Sequence, residues 1–586
     1  MTTFTAETPL FEVLRHPLGR RLISDTVPGL VDSPVLHTLH AYPVGLVIDV
    51  HEATRGDAAA RERILSRLAA IDPAIPASPE ERETHVPPRA DYEDDSILRG
   101  SATVTVPTTA QKWGRIEITI DGPSHGNPFV DVELSATFES GGERATAPGF
   151  YDGDGIYRIR FMPPTEGRWR FSTSSSARSL DGLRGEFEVI ATLHRHGPVR
   201  VANTFHFAHA DGTPLRPIGT TAYAWTHQGR ELEERTLDTL ANGPFNKMRM
   251  CVFPKSYLFN ENEPELYPFE GSLEQGWDFQ RFNPEFFRHL ERRIGQLGEL
   301  GIQADLILFH AYDRWGFSTM DPVADDRYVR YVVARLASFE NVWWSLANEY
   351  DLLHEKTIDD WERFAEIVQR DDPSDHLLSI HNCMPFYDYS RPWVTHCSIQ
   401  RQDVYKTAEL TDEWRRTWGK PVVIDECAYE GDIDQGWGNI TGEELVRRFW
   451  EGAVRGGYVG HGETYLDDAD VLWWSKGGVL KGTSPDRIAF LHRIMSEGPV
   501  HGLEPLTGDW DVPRAGVEGQ YYLSYFGFFR PRYRNFVLRP GTRYRVDVID
   551  TWNMTITELD GEFEGRFRIE LPGRQFMAVR MRAVGT

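Results

Sequence analysis

Val342-Trp343-Trp344-Ser345-Leu346-Ala347-Asn348-Glu349-Tyr350 is the stretch on which the fold turns. Its first half is apolar at successive positions, as in a parallel strand covered on both faces. Its end turns abruptly polar, an amide beside a carboxylate. Deep burial followed by sudden polarity describes a strand running out of a core into a site. Asn-Glu by itself is common in loops. A second run of the same design, Pro421-Val422-Val423-Ile424-Asp425-Glu426, again stops β-branched residues at a glutamate.

Working outward, the region 193–503 alternates strand and helix, which calls for a parallel sheet. Strand candidates lie at 215–224, 246–253, 302–310, 342–349, 377–382, 396–401, 421–427 and 457–464. Helical patterns at 231–241, 283–300, 326–338, 359–370, 407–418, 441–455 and 485–496 separate most of them. The clearest has Asn283 as N-cap, Pro284 in the first turn and Gly301 past the end. A doubly wound sheet needs a glycine-rich phosphate loop after its first strand, and Gly219-Thr220-Thr221 is not one. The pattern predicts an α/β fold, a (β/α)8 TIM barrel.

The flanks change period. Residues 101–192 alternate apolar and polar at 116–120, 130–134, 155–161 and 167–173, with Gly, Pro and Asp between, and predict an Ig-like β-sandwich. It is either a carbohydrate-binding module or, more simply, a structural cap on the barrel. Residues 504–586 alternate again at 521–526, 544–550, 567–571 and 577–581 and predict a C-terminal β-sandwich. In 1–100, helical spacing links Phe11, Leu14, Leu18, Leu22 and Ile23, and again Ile64, Leu65, Leu68 and Ile71. A Pro-, Glu- and Arg-rich linker is expected over 72–95. This helical piece is expected to dock on the barrel or to make an oligomer contact.

The formal net charge of −25 argues against nucleic acid, whose phosphates need a basic face. Aromatic residues are 12%, with 17 Trp, and stacking on sugar faces is one use for those the core does not need. No apolar run approaches the roughly 18 residues of a membrane span. No basic segment followed by an apolar run opens the sequence, so a cytoplasmic enzyme with an importable substrate is expected. Cys251, Cys383, Cys397 and Cys427 read as small apolar residues of the barrel strands, not as a disulfide framework or metal site.

In such a barrel the site lies at the C-terminal ends of the strands. Those ends carry Tyr223 and Trp225, Arg249, His310 and Asp313, Asn348 and Glu349, His381 and Asn382, Gln400 and Gln402, Glu426, His461 and Glu463. Any one of them is explained by packing, but the ring of them is not. His310 to Asp313 offers no second histidine at ligand spacing, so neither metal nor cofactor is expected.

With these residues in view, the chain resembles the clan A retaining glycoside hydrolases, in particular a bacterial group that includes apiosidase-like enzymes. The resemblance spans about residues 100–586. It rests on Trp344-x-x-x-Asn348-Glu349-Tyr350, on Pro421-Val422-x-x-x-Glu426, and on Gly460-His461-Gly462-Glu463-Thr464-Tyr465 followed by Trp473-Trp474-Ser475-Lys476-Gly477-Gly478. Pro148 to Asp154 and Pro163 to Trp169 are similar to the Ig-like domain ahead of many such barrels. The chain departs from the better-known members in two places. His461 and Glu463 stand where many carry a tryptophan. Gln400-Arg401-Gln402 stands where many carry His-x-Tyr.

The resemblance implies Glu349 as acid/base and Glu426 as nucleophile of a double displacement, with carboxylates about 5–5.5 Å apart and split pKa values. Arg249, expected at the site rim, would keep Glu426 ionised, and Asn348 would bond the sugar 2-hydroxyl. Tyr223, Trp225, His310, His381, Gln402, His461, Glu463, Trp473 and Trp474 are candidate substrate contacts. Insertions after the second strand (254–278) and the seventh (431–439) would wall off one end of the cleft and make the action exo. A small oligosaccharide or glycoside is the expected partner. A silent carbohydrate-binding barrel and a transglycosylase using the same residues remain open.

Overall fold

The computed structural model describes residues 3–31, 33, 36–73, 84–467, 469, 471–507 and 509–585. At its centre eight parallel strands form one sheet: β1 (Gly219–Thr221), β2 (Lys247–Cys251), β3 (Gln303–His310), β4 (Val342–Asn348), β5 (Leu378–Ser379), β6 (Cys397–Gln400), β7 (Val422–Glu426) and β8 (Tyr458–His461). Hydrogen bonding runs β5-β4-β3-β2-β1-β8-β7-β6. A single parallel bridge from His381 to Ser398 brings the two edge strands together, so the sheet is barrel-like. Helices follow seven of the eight strands; the chain between β5 and β6 has none.

Every residue of β2, β3, β4 and β7 is buried, which explains why their sequences do not alternate. Trp343 and Trp344 are both fully buried; truncating either to alanine costs about 3–5 kcal/mol. The register puts Thr221 beside Arg249, His310 beside Asn348 and Gln400 beside Glu426, so these strand ends share one layer. At the opposite end a small antiparallel sheet (199–202, 206–209, 214–215) seals the floor. Its Phe207 packs on Trp343, His396 and Tyr458. Leu215, expected to open the first barrel strand, belongs with Pro214 to this floor, and β1 begins at Gly219.

The helix Pro284–Glu299 starts as expected, the Asn283 side chain accepting from the Glu285 N–H. Ahead of the barrel, strands between 103 and 190 enclose one core that includes Ile118, Phe138, Ile159, Trp169 and Phe187. The strand expected over 130–134 is absent. Pro128–Asp131 is a helical turn, closed by the Asp131 carboxylate on the Asn127 N–H, and the strand starts at Leu134. The chain after the barrel builds a six-stranded antiparallel sheet and a two-stranded ribbon around a core of their own.

The N-terminal helices bury Leu10, Leu14, Leu22, Ile23, Ile64 and Leu68. Leu18 is half exposed, because the break at His16 and Pro17 starts a new helix and rotates it off the shared face. This piece docks beside the loop after β4, through Arg20 on Glu355 and His40 against His354. Residues 74–83 of the expected linker lie outside the described residues. Among the described residues no helix is long and apolar enough to cross a membrane.

Candidate active site

Glu349 and Glu426 leave β4 and β7 into one buried cluster. Glu349 takes a left-handed backbone, φ 54° and ψ 58°, a conformation that costs a non-glycine residue about 1–2 kcal/mol. It is held there by the Leu352 N–H on its carbonyl and the Tyr350 N–H on the His381 carbonyl, both 2.9 Å. The turn lifts the carboxylate out of strand alternation toward Tyr312, whose hydroxyl donates to Oε2. Asn348 Nδ2 donates to the same oxygen at 3.2 Å.

Glu426 sits in a different setting. The Tyr223 hydroxyl donates to Oε1, Arg249 Nη1 lies 3.3 Å away and His381 Nε2 3.2 Å away. Arg249 Nη1 also reaches Asn348 Oδ1 at 2.7 Å, which orients that amide and leaves its nitrogen for Glu349. Asn348 thus ties the two glutamates together.

Below them lies a second tier. Lys247 Nζ pairs with Asp305 at 2.5 Å and with Asp425 at 2.8 Å. Ser398 Oγ donates to Asp425 Oδ2 at 2.6 Å and lies 3.0 Å from His381 Nδ1. Ser398 has one proton, committed to Asp425, so its oxygen accepts from Nδ1–H. For Nε2 to face an ionised Glu426 it must carry a proton as well. Burial first, and the Arg249 charge second, hold the imidazole below its ordinary value against the opposing pull of Glu426.

The two glutamates are driven apart. Burial first, and the Glu426 charge second, push Glu349 up to about 7. Burial also works against the charge on Glu426, but the hydrogen bond and charge of His381, with Arg249 and Tyr223, hold it down at about 2. Near neutral pH one is an acid and the other a carboxylate, the division that acid/base and nucleophile chemistry needs.

Around them stand Tyr223, Tyr257, Tyr312, Tyr429, Trp437 and Trp474, with Lys255 among their faces. Of the residues read from the sequence, the fold gathers Tyr223, Arg249, Asn348, Glu349, His381, Glu426 and Trp474. Arg249 is not at the rim. It is 1% exposed, beneath Tyr223, because β2 ends deeper than the loops around it.

The others are placed elsewhere. Trp225 donates to the Met250 sulfur at 3.3 Å within the main core. His310 turns to the Phe253 carbonyl, 3.2 Å away, and Asp313 caps the N–H groups of Trp315, Gly316 and Ser318. His461 bonds Thr220 at 2.9 Å and packs on Phe245, and the Trp473 indole donates to the same threonine. Glu463 holds the Lys481 and Gly482 N–H groups. The Asn382 side-chain amide clasps the Gln400 main chain, donating to its carbonyl and accepting from its N–H. Gln402 is half-buried and bonds to none of the cluster.

The sequence reading missed Tyr312, Lys255, Tyr257, Tyr429, Trp437 and Ser398. Tyr312 sits inside the quoted His310–Asp313 run, and Asp425 beside the quoted Glu426. The remaining signal was the density of aromatic residues just past β2, β3 and β7. Among the described residues no group of histidine, cysteine, aspartate and glutamate is arranged to hold a metal ion.

Family comparison places an apiosidase-like catalytic domain at residues 202–479. Residues 109–176 and 510–582 match two domains of unknown function, DUF5060 and DUF5605. Among solved structures the chain is similar to a protein of Bacteroides vulgatus ATCC 8482 provisionally described as a glycoside hydrolase. Identity is 40% over 82% of this chain and 100% of that one, with a TM-score of 0.78. A glycoside hydrolase family 5 protein of the same strain is 15% identical over 66% of this chain and 94% of its own, TM-score 0.53. Another glycoside hydrolase is 14% identical over 67% and 98%, TM-score 0.52. The last two speak for the fold alone. No curated protein matches the chain.

Proposed function

The chain belongs to the apiosidase-like family of glycoside-hydrolase proteins, and from that membership we propose a retaining, exo-acting glycosidase. We read its central sheet as a (β/α)8 barrel of the clan A type, one crossover lacking its helix, with the flanking β-regions as sandwiches that cap it. Glu426 attacks the anomeric carbon while Glu349 protonates the leaving oxygen. Glu349 then deprotonates the water that releases the sugar.

The observation that carries this reading is the opposed ionisation of two buried glutamates in one cluster. Glu426 is held as a carboxylate with its charge directed by Tyr223, Arg249 and His381. Glu349 is an acid whose hydrogen-bond partners, Tyr312 and Asn348, are neutral. The second Nδ2 proton of Asn348 is left for the sugar 2-hydroxyl. Exo action is supported by the two insertions, which meet where Tyr257 and Trp437 pack, and by Trp437 lying on Trp474.

The test is a panel of nitrophenyl glycosides, with the configuration of the first-formed sugar followed by proton NMR. Retention is expected. Inversion would mean that the glutamates flank a water at wider separation, and the role assignments would fall.

A further inference from the structure

Lys255 follows β2 by four residues and is 1% exposed, yet its ammonium makes no hydrogen bond or ion pair among the described residues. It lies 3.7 Å from the ring centre of Tyr223, 4.3 Å from that of Trp474 and 4.4 Å from that of Tyr312. Tyr223 holds Glu426 and Tyr312 holds Glu349, so the ammonium stands between the clamps of the two glutamates. The other buried cations of the site, Lys247 and Arg249, each have carboxylates within 4 Å. Lys255 has aromatic faces instead. Such contacts stabilise a cation by about 0.5–2 kcal/mol each, but they use none of its three N–H donors well.

Further donors of the same cluster, Arg249 Nε and Nη2 among them, have no hydrogen-bond partner. The Trp474 indole N–H and the Tyr429 hydroxyl are both buried and unbonded. Native structures rarely leave buried donors idle unless something else is to bond them. The bonding partner should not be an anion. The ionised Glu426 and the partly ionising Glu349 both act on Lys255, and a third negative group would enter against them. Neutral oxygen acceptors fit, as do the apolar ring faces on which they would rest.

We propose that Lys255 is a substrate-binding residue that, with Trp474 and Tyr429, donates hydrogen bonds to the hydroxyls of a neutral glycone, selecting uncharged sugars over uronic acids. This deepens the glycosidase reading and takes its subsite from it, but its test does not depend on turnover. The Glu426→Gln variant is titrated with neutral monosaccharides (arabinose, xylose, rhamnose, glucose, galactose, mannose) and with glucuronic and galacturonic acid, following tryptophan fluorescence. At least one neutral sugar should bind, and the acids should bind more weakly than their neutral counterparts. Adding Lys255→Met should weaken the neutral sugar about 10- to 150-fold, the range for a lost hydrogen bond from a charged donor. Trp474→Phe, which keeps a ring and removes the N–H, should weaken it about 2- to 12-fold and covers the case in which Lys255→Met does not fold.

A second readout separates binding from mere support of the rings. In the wild-type protein Lys255→Met should weaken a neutral sugar lactone but spare or tighten the protonated iminosugar of the same configuration, because a like charge has gone. Equal weakening of both would reduce Lys255 to a support. Absence of any neutral-sugar binding, unchanged affinity in both variants, or tighter Lys255-dependent binding of the uronic acids would overturn the proposal. Binding with the expected dependence in a protein that cleaves no glycoside would overturn the hydrolase reading and leave this one standing.

Discussion

Two buried ion networks lie in this molecule, built from the same residue types, and they end in opposite electrostatic states. One joins the N-terminal β-region to the barrel helices. There Arg335 bonds Asp152 at 2.8 Å and Glu291 at 2.5 Å, Arg160 bonds Glu291 at 2.8 Å, and Arg158 bonds Asp152 at 2.7 Å. Two arginines stand on Glu291, and Arg288 adds a third on Asp152. Burial opposes ionisation of both acids, yet both are held below their usual range. The Arg335 nitrogen left without a bond belongs to a guanidinium that lies over the Phe150 ring.

The other network is the site. Glu426 has its arginine and is ionised. Glu349, equally buried and joined to it through Asn348, has no cation in bonding range and stays protonated to about pH 7. Burial alone therefore does not decide charge. The count of cations per carboxylate does, and the site is where that count is deliberately uneven.

The largest way to break this contrast is to neutralise one acid from each network. Glu426→Gln should lower kcat by at least about 10⁴-fold on every substrate, since no other group can attack the anomeric carbon. Glu291→Gln should leave kcat per folded molecule unchanged and lower only the denaturant midpoint.

Glu349→Gln should cost about 10²- to 10⁴-fold on substrates with poor leaving groups. With a nitrophenyl leaving group the first step should survive and the glycosyl-enzyme accumulate as a burst. Azide, which needs no base, should then restore turnover and give a glycosyl azide of retained configuration. A variant that azide does not rescue would remove Glu349 from the acid/base role.

Arg335→Met strips both interface acids of a partner and should destabilise the fold by about 3–5 kcal/mol in urea unfolding, with an unmoved pH–rate profile.

Arg249→Met should move that profile. On the proposed mechanism activity needs Glu426 ionised and Glu349 protonated, so kcat/KM should fall below the first pKa and above the second. Losing the cation favours protonated Glu426, and the acid limb should rise by about one to three pH units. Since Arg249 is buried rather than at the rim, a loss of stability should accompany it. An unshifted acid limb would assign Arg249 to packing.

The smallest effect separates two neighbours. Trp473→Phe removes a bond to Thr220 behind the barrel wall and should change kcat/KM less than about twofold, at a stability cost of about 1 kcal/mol. Trp474 stands among the aromatic rings around Lys255, and its loss should be seen in sugar binding.

Much of this could be read from the chain alone because it depends on local chemistry. Mostly apolar runs that stop at Asn348-Glu349 and at Glu426 read as covered strands, and Asn283 with Pro284 reads as a helix start. Period changes at about 193 and 504 mark where the α/β pattern starts and stops. The chain alone thus gave the parallel α/β class, most of the strands of the barrel-like sheet and the two glutamates proposed for testing. Only the tertiary structure decided which polar strand-end residues face the site. Alternation assigns faces inside a strand, but it lapses where the chain leaves it, as at Glu349 with φ 54° and Ala428 with φ 67°. Beyond such a turn, neighbours such as Trp473 and Trp474 part company, and His461 goes to Phe245 while Tyr429 joins the aromatic cluster around Tyr223 and Trp474. Ionisation was settled there too. It depends on how many cations reach one carboxylate from β2, β5 and their neighbours, and no spacing along a single strand contains that number.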